Sequence, residues 1–242
     1  MKRLTGAALL ALLLILVLTF ATLWLGVPWR ARLTASARAH NADVLATAKR
    51  ALLSWATLHC TQPGAILGNV VAGELPRPDT DAPGTAGSGA QNVAGAPRLG
   101  RLPWRTIALP PLRDASGELL WYAIRNEYGD NDDDPPAPCL TLTVRDAAGG
   151  RVDAAPARCI IALVMAPGAV RTGQDRSNPL DAAAYLDASI VSGHAVNNAA
   201  ATGPFVLGPV GDGADVNDQV LAITWQELRL PGTSRPCTMP AP

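Results

Sequence analysis

The chain opens MKRLTGAALLALLLILVLTFATLWLGVPWRAR, in which Lys2 and Arg3 precede an uncharged, apolar run from Leu4 to Trp29. At a helical rise of about 1.5 Å per residue, that run is long enough to cross a hydrocarbon core of roughly 30 Å. A cleaved secretory signal also begins with basic residues, but its apolar core is about 7 to 15 residues long and ends at a small-residue cleavage site. Here the run is longer and ends in Gly26, Val27, Pro28, Trp29 and Arg30, so the sequence predicts a retained membrane anchor. No cysteine follows it closely, which argues against a lipoprotein. Trp24 and Trp29 stand where aromatic residues mark a membrane interface.

Behind the run, the stretch from Leu33 to His59 places Ala37, Leu45, Ala48, Leu52, Trp55 and Leu58 near one helical face, with Arg38, Asp43, Lys49 and Arg50 elsewhere. Pro28 is the one breaker between the two stretches. They form either one long helix kinked at Pro28 or two helices joined there. The expected division is 1–6 as a short basic leader, 7–29 as a transmembrane helix, 30–59 as its amphipathic continuation and 60–242 as one exported globular domain.

The Gly and Pro content of that last part favours short strands and turns. Strands are expected at Glu118–Arg125, Leu140–Asp146, Cys159–Met165 and Gln219–Ile223, each bounded by turn residues. Two short helices are expected: NPLDAAAYLDA, begun by Asn178 and Pro179, and TWQEL, where Thr224 and Glu227 make a capping-box pattern. Pro76–Pro97 and Gly129–Pro138, rich in Pro, Gly, Ala and Asp, are expected as surface loops. The fold class is α+β, a long N-terminal helix laid against a mostly antiparallel sheet.

The four cysteines, Cys60, Cys139, Cys159 and Cys237, lack the close pairs of a zinc site and suit two disulfides in an exported domain. Three connectivities are open. The preferred one joins Cys139 to Cys159, which bracket a hairpin turning at Ala147–Gly150, and Cys60 to Cys237. Lys2 and Arg3 favour a cytoplasmic N-terminus while Arg30, Arg32 and Arg38 pull the other way. The cysteines decide for an exported domain.

Signatures of catalysis are missing: there is no G-x-S-x-G elbow, no phosphate loop with a lysine, no G-x-G-x-x-G after a strand and no H-E-x-x-H. His40, His59 and His194 are isolated, and Ser192 beside His194 is adjacency without a triad. The formal net charge of +0 argues against a nucleic-acid partner. One loop carries some chemistry. In VGDGADVNDQ, Asp212, Asp215, Asn217 and Asp218 offer hard oxygen ligands between flexible glycines, a set that suits calcium although the spacing is not that of an EF-hand. Asp130 to Asp134 and the pair Asp79 and Asp81 are weaker candidates. No cofactor is required by anything else in the sequence.

The basic leader ending in Gly6, the apolar helix from Ala7, the proline at Pro28 and the amphipathic continuation resemble the N-terminus of type IV pilins and type II secretion pseudopilins. RDASGELLWYAI, Arg113 to Ile124, is similar to the D-x-x-G turn and aromatic strand of some pseudopilin domains. AKRALLSWA, GELPRPDTD, GRLPWRTIALPPLRD, ALVMAPGA and NDQVLAIT extend the resemblance to a group of pilin-like membrane proteins over most of the chain. The resemblance implies cleavage by a prepilin peptidase between Gly6 and Ala7, and an apolar helix half that holds subunits together. Most pilins have Phe or Met after the glycine and Glu in the fifth mature place. Here those places hold Ala7 and Ala11. The missing glutamate resembles the minor pseudopilin at a filament tip, and it fits equally a protein that never polymerises.

The expected function is therefore a non-enzymatic minor pilin-like subunit of a type IV pilus or type II secretion-like assembly. It would sit in the bacterial inner membrane with a cytoplasmic N-terminus and a periplasmic or filament-surface domain. Its partners would be other pilin or pseudopilin subunits, membrane lipid and a prepilin peptidase, with no nucleic acid. The competing expectation is a signal-anchored binding module that does not polymerise.

Overall fold

The computed structural model describes residues 4–58, 74–81, 84, 97–129, 140–153, 159–208 and 216–228, and leaves out the side chains of residues 4, 5, 7, 21–28, 30, 57 and 58. One helix, α1, runs Leu4–Leu58, 55 residues, and is helical through Pro28. Of the two arrangements the sequence allows, the single helix is the observed one. Among the described residues no helix is long and apolar enough to cross a membrane. The described side chains of the apolar run stop at Phe20 and resume at Trp29, so the span expected over 7–29 is not shown.

The chain divides into two compact units, Met1–His40 and Asn41–Pro242. In the first, large apolar side chains are exposed on every side of the helix: Leu9 to Phe20 range from 56% for Val17 and Leu18 to 72% for Leu10. The second contains the last turns of α1, and there burial follows the helical period. Asn41, Val44, Leu45, Ala48, Leu52, Trp55 and Ala56 are buried while Arg38, Asp43 and Arg50 are exposed. Of the predicted face, Leu45, Ala48, Leu52 and Trp55 are buried, Ala37 is half-buried, and the Leu58 side chain lies outside the described set.

That face packs on a four-stranded sheet in the order β1 (Arg98–Arg101), β2 (Trp121–Ile124), β4 (Ile160–Ala166), β8 (Gln219–Thr224), with every pairing antiparallel. Strand β3 (Val144–Arg145) pairs in parallel with β7 (Phe205–Val206), and β5 (Ala188–Val191) forms a hairpin with β6 (His194–Asn197). A single turn, α2 (Trp225–Leu228), ends the described chain. Alternation along the strands makes two cores. Tyr122, Ile124, Ile161, Val164 and Ile223 meet α1 on one face, while Trp121, Ala123, Leu163 and Met165 meet Leu142, Val144, Tyr185 and Phe205 on the other. The central strand β4 is buried at all seven residues, and covering on both faces is why it reads IIALVMA without alternation.

The predicted capping box forms: Thr224 N donates to Glu227 Oε2 at 2.9 Å, and Glu227 N donates to Thr224 Oγ1 at 3.3 Å. The other predicted helix does not. NPLDAAAYLDA gives only one 3-10 turn, Ala182–Ala184, capped by Asp181. Tyr185, Leu186 and Asp187 are drawn inward instead, which a continuous helix from Asn178 would not permit. Strand 140–146 shrinks to β3, and β1, β5, β6 and β7 were not foreseen. The expected surface loop Pro76–Pro97 is corrected where it is described: Pro76, Pro78 and Asp79 are buried, and Asp79 exchanges two backbone hydrogen bonds of 2.8 Å with Arg101. Gly129 is likewise buried, and 130–138 lies outside the described residues.

Candidate functional site

Gly6 sits in the first turns of α1 and is exposed. A Cβ built there would meet nothing within 4 Å. Glycine in a helix costs about 1 kcal/mol relative to alanine, so neither packing nor backbone conformation asks for it at this place. Ala7 follows it within the helix.

Two of the calcium candidates, Asn217 and Asp218, belong to a buried polar cluster. Asp212 and Asp215 lie outside the described residues, as do Asp130 to Asp134; Asn217 and Asp218 lead into β8. Asp218 is 0% exposed, and its Oδ2 accepts from Asp187 N at 2.8 Å and from Asn198 Nδ2 at 3.0 Å. Asn198 Oδ1 accepts in turn from Val206 N at 2.9 Å. Asp187 Oδ1 faces Arg171 Nη1 and Gln174 Nε2, both at 3.2 Å, and its Oδ2 accepts from Asn217 N at 2.7 Å. The Asn217 side chain turns to a different partner, donating to Ala169 O at 2.8 Å.

Burial pushes the Asp218 carboxyl up to about 8, and the negative charge of Asp187 adds to the effect; the bonds from Asp187 N and Asn198 and the charge of Arg176 act the other way. Asp218 therefore holds a proton at neutral pH. Calcium ligands are ionised, so an ion seated on Asp218 would have to displace that proton. Among the described residues no group of three or more His, Cys, Asp or Glu could hold a metal. What the cluster does is mechanical. It ties the start of β5, the end of β6, β7 and the entry to β8 through one pair of carboxyl groups.

A second carboxylate organises the D-x-x-G turn. Asp114 Oδ1 accepts from Ser116 N at 2.8 Å and Glu118 N at 2.9 Å, and Oδ2 accepts from Gly168 N at 2.7 Å. Asn41 Oδ1 accepts from Ala115 N at 2.7 Å, fastening the turn to α1. Gly117 has φ +85°, the left-handed conformation the turn needs.

Cys159 is buried and disulfide-bonded; Cys60, Cys139 and Cys237 lie outside the described residues. Its Sγ lies 3.9 Å from Leu140 O, next in sequence to Cys139. The hairpin turn expected at Ala147–Gly150 is present, with Gly149 N donating to Asp146 O at 3.0 Å. Ser192 and His194 flank the β5–β6 turn, and Ser192 Oγ donates to Ala147 O at 3.3 Å. His40 is exposed on α1, and His59 lies outside the described residues.

The residues that sequence reasoning missed are Asp187, Asn198 and Asn41. Asp187 was absorbed into an expected helix. A signal was available: LDA directly before a β-branched stretch, SIV, suits a turn into a strand better than a helix interior. Comparison with known protein families, curated proteins and solved structures finds no match for this chain.

Proposed function

We propose that this chain is a pilin-like assembly subunit with no catalysis of its own, anchored in a membrane by the apolar half of α1. The observation that carries the reading is the exposure of Leu9 to Phe20 on all sides of a helix whose later turns pack normally on a sheet. Surface of that kind in water carries a large hydrophobic penalty, about 25 cal/mol per Å². Lipid or the apolar helices of like subunits remove it. Gly6 supports processing: the helix gives no packing reason for a glycine there, and a prepilin-type cut after it supplies one.

In this reading Ala7 becomes the mature N-terminus, and the domain from Asn41 lies on the outer side of the inner membrane, where Cys159 is oxidised. Ala11, uncharged where a filament subunit carries glutamate, supports a minor subunit at a tip, which needs no partner above it. Calcium has no part in the reading beyond the Asp212–Asp218 loop.

The test is site-specific photo-crosslinking in cells, with benzoylphenylalanine at Leu13 and at Leu52. The proposal expects Leu13 to capture pilin or pseudopilin subunits and Leu52 to capture none. Capture of lipid alone at Leu13, in cells that assemble the system, would sink it and leave a plain anchored module.

A further inference from the structure

Arg101 ends β1, at the edge of the four-stranded sheet, and is only 6% exposed. Its guanidinium lies between two aromatic rings, 4.2 Å from the Trp121 centroid and 4.0 Å from that of Tyr185. Nε donates to Pro179 O and Nη1 to Leu119 O, each at 2.8 Å. Both acceptors are neutral. Among the described residues no carboxylate stands within ion-pair distance of Arg101. Glu118, the acid whose charge acts on it, pairs instead with Arg176 Nη1 at 3.2 Å. Burial lowers Arg101 from its ordinary value and the like charge of Arg176 adds to the effect, while Tyr185, through its side-chain hydrogen bond, and the charge of Glu118 act the other way. Stacking on aromatic faces offsets part of that cost, but a buried charge without an anion is a costly arrangement for a domain to keep.

Arg101 also lines a cavity of about 170 Å³, whose wall is almost wholly hydrocarbon from Leu102, Trp104, Leu112, Leu119, Leu120 and Leu180. Its two hydrogen bonds go to carbonyls of lining residues, so the guanidinium fastens two sides of the wall together. Gly84, at φ +95°, completes the wall against Trp104, since a Cβ there would overlap the indole ring. Asp79 and Asp81 border the cavity too. Asp79 Oδ2 is engaged by Gly84 N, and neither aspartate is among the groups acting on the Arg101 charge.

We propose that this cavity binds an apolar group the size of one large aliphatic side chain that bears a carboxylate, with the anion paired to Arg101. Size and charge both argue for it. A leucine-lined cavity of roughly 150 Å³ admits a benzene-sized body, and a guanidinium that lacks an ion pair is the strongest available recognition element for a carboxylate. Two sources share this chemistry, a free short-chain carboxylic acid and the C-terminal residue of a partner chain. The inference does not depend on the pilin-like reading.

The test titrates the full-length protein in nanodiscs of zwitterionic lipid with hexanoate, N-acetyl-leucine, uncharged N-acetyl-leucinamide and hexylamine. Binding is read from Trp104 fluorescence, with Trp104→Phe as the control for signal. At least one anion is expected to bind at least about tenfold more tightly than the amide or the amine, a charge-assisted bond to Arg101 being worth that factor. Hexanoate alone would identify a free acid, and N-acetyl-leucine alone a chain terminus. Because Arg101→Leu removes two structural hydrogen bonds and could unfold the domain, Leu180→Trp, at a residue 43% exposed, serves as the blocking variant. It should abolish the signal while far-UV circular dichroism and the urea midpoint stay unchanged. Equal binding of acid and amide, preference for the amine, no saturable signal, or undiminished binding by Leu180→Trp overturns the proposal.

Discussion

The two ends of α1 make the same secondary structure from opposite patterns. From Leu9 to Phe20 nearly every position is large and apolar, and those side chains are more than half exposed; from Asn41 to Ala56 the apolar positions recur at the helical period, and those facing the sheet are 9% exposed or less. A helix whose partner is a protein surface needs one apolar stripe, because its other side meets water. A helix apolar all round needs an apolar medium on every side. The contrast teaches that one helix carries two surface patterns, a stripe that fits the sheet over Asn41–Ala56 and an unbroken apolar surface over Leu9–Phe20.

Substitutions can break the comparison. The largest effect is expected at Leu52, which is fully buried: Leu52→Ala should destabilise the domain by about 2 to 5 kcal/mol through lost burial and a residual cavity. Leu13→Ala, at a residue 57% exposed, should move the same urea midpoint by less than about 0.5 kcal/mol. Similar losses at both positions would contradict the contrast between the exposed and the buried half of α1.

Next comes the D-x-x-G turn. Asp114→Ala strips three backbone N–H donors of their acceptor, and a cost of about 1 to 3 kcal/mol is expected in urea unfolding. Asp114→Asn, which keeps one acceptor oxygen, should recover part of it.

The Asp187–Asp218 cluster gives a pH signature confined to the domain. Asp218 is raised from 3.8 to about 8 on folding, so between those values the native state holds a proton that the unfolded chain has released. Its contribution to stability is full below about pH 4 and is lost as the pH rises towards 8, at most about 1.4 kcal/mol per pH unit. Asp218→Asn should flatten that fall in stability curves measured with a chelator present. A wild-type curve already flat from pH 5 to 8 would contradict the assignment.

A smaller effect than these is expected in the domain where α1 meets the end of the sheet. Lys49 Nζ pairs with Glu227 Oε1 at 2.6 Å and donates to Ala222 O at 2.7 Å. Burial alone would raise Glu227, but the bonds from Lys49 and Thr224 outweigh it and hold the carboxyl below its ordinary value. Lys49→Met should cost about 0.5 to 1 kcal/mol, and less at high salt. Double-mutant cycles with Glu227→Gln would isolate the pair.

Helical periodicity made the buried face of α1 readable in advance, apolar runs bounded by turn residues did so for β2, β4 and β8, and the capping box did so for α2, because each is a local pattern that tertiary packing reinforces. Strand β1 was not legible: RLGR has no alternation of its own and is held by backbone pairing to Asp79 on one side and to β2 on the other. The short strands β5, β6 and β7 depend likewise on the distant side chains of Asp218 and Asn198. Within the polar cluster, Asn217 and Asp218 were marked from sequence, but as calcium ligands and not as the hydrogen-bonding residues they are. For Asp187 the sequence signals at most a turn into a strand; its meeting with Asp218, which lies 31 residues on, comes only with folding.

The central claim is that the apolar half of α1 belongs to a processed, membrane-held subunit. Intact mass of the protein from its native membrane, with and without an active prepilin peptidase, tests it most directly. The account predicts loss of Met1 to Gly6 and a methylated Ala7 only when the peptidase is active, and no cleavage of Gly6→Asp. An N-terminus that remains whole in both strains would contradict it.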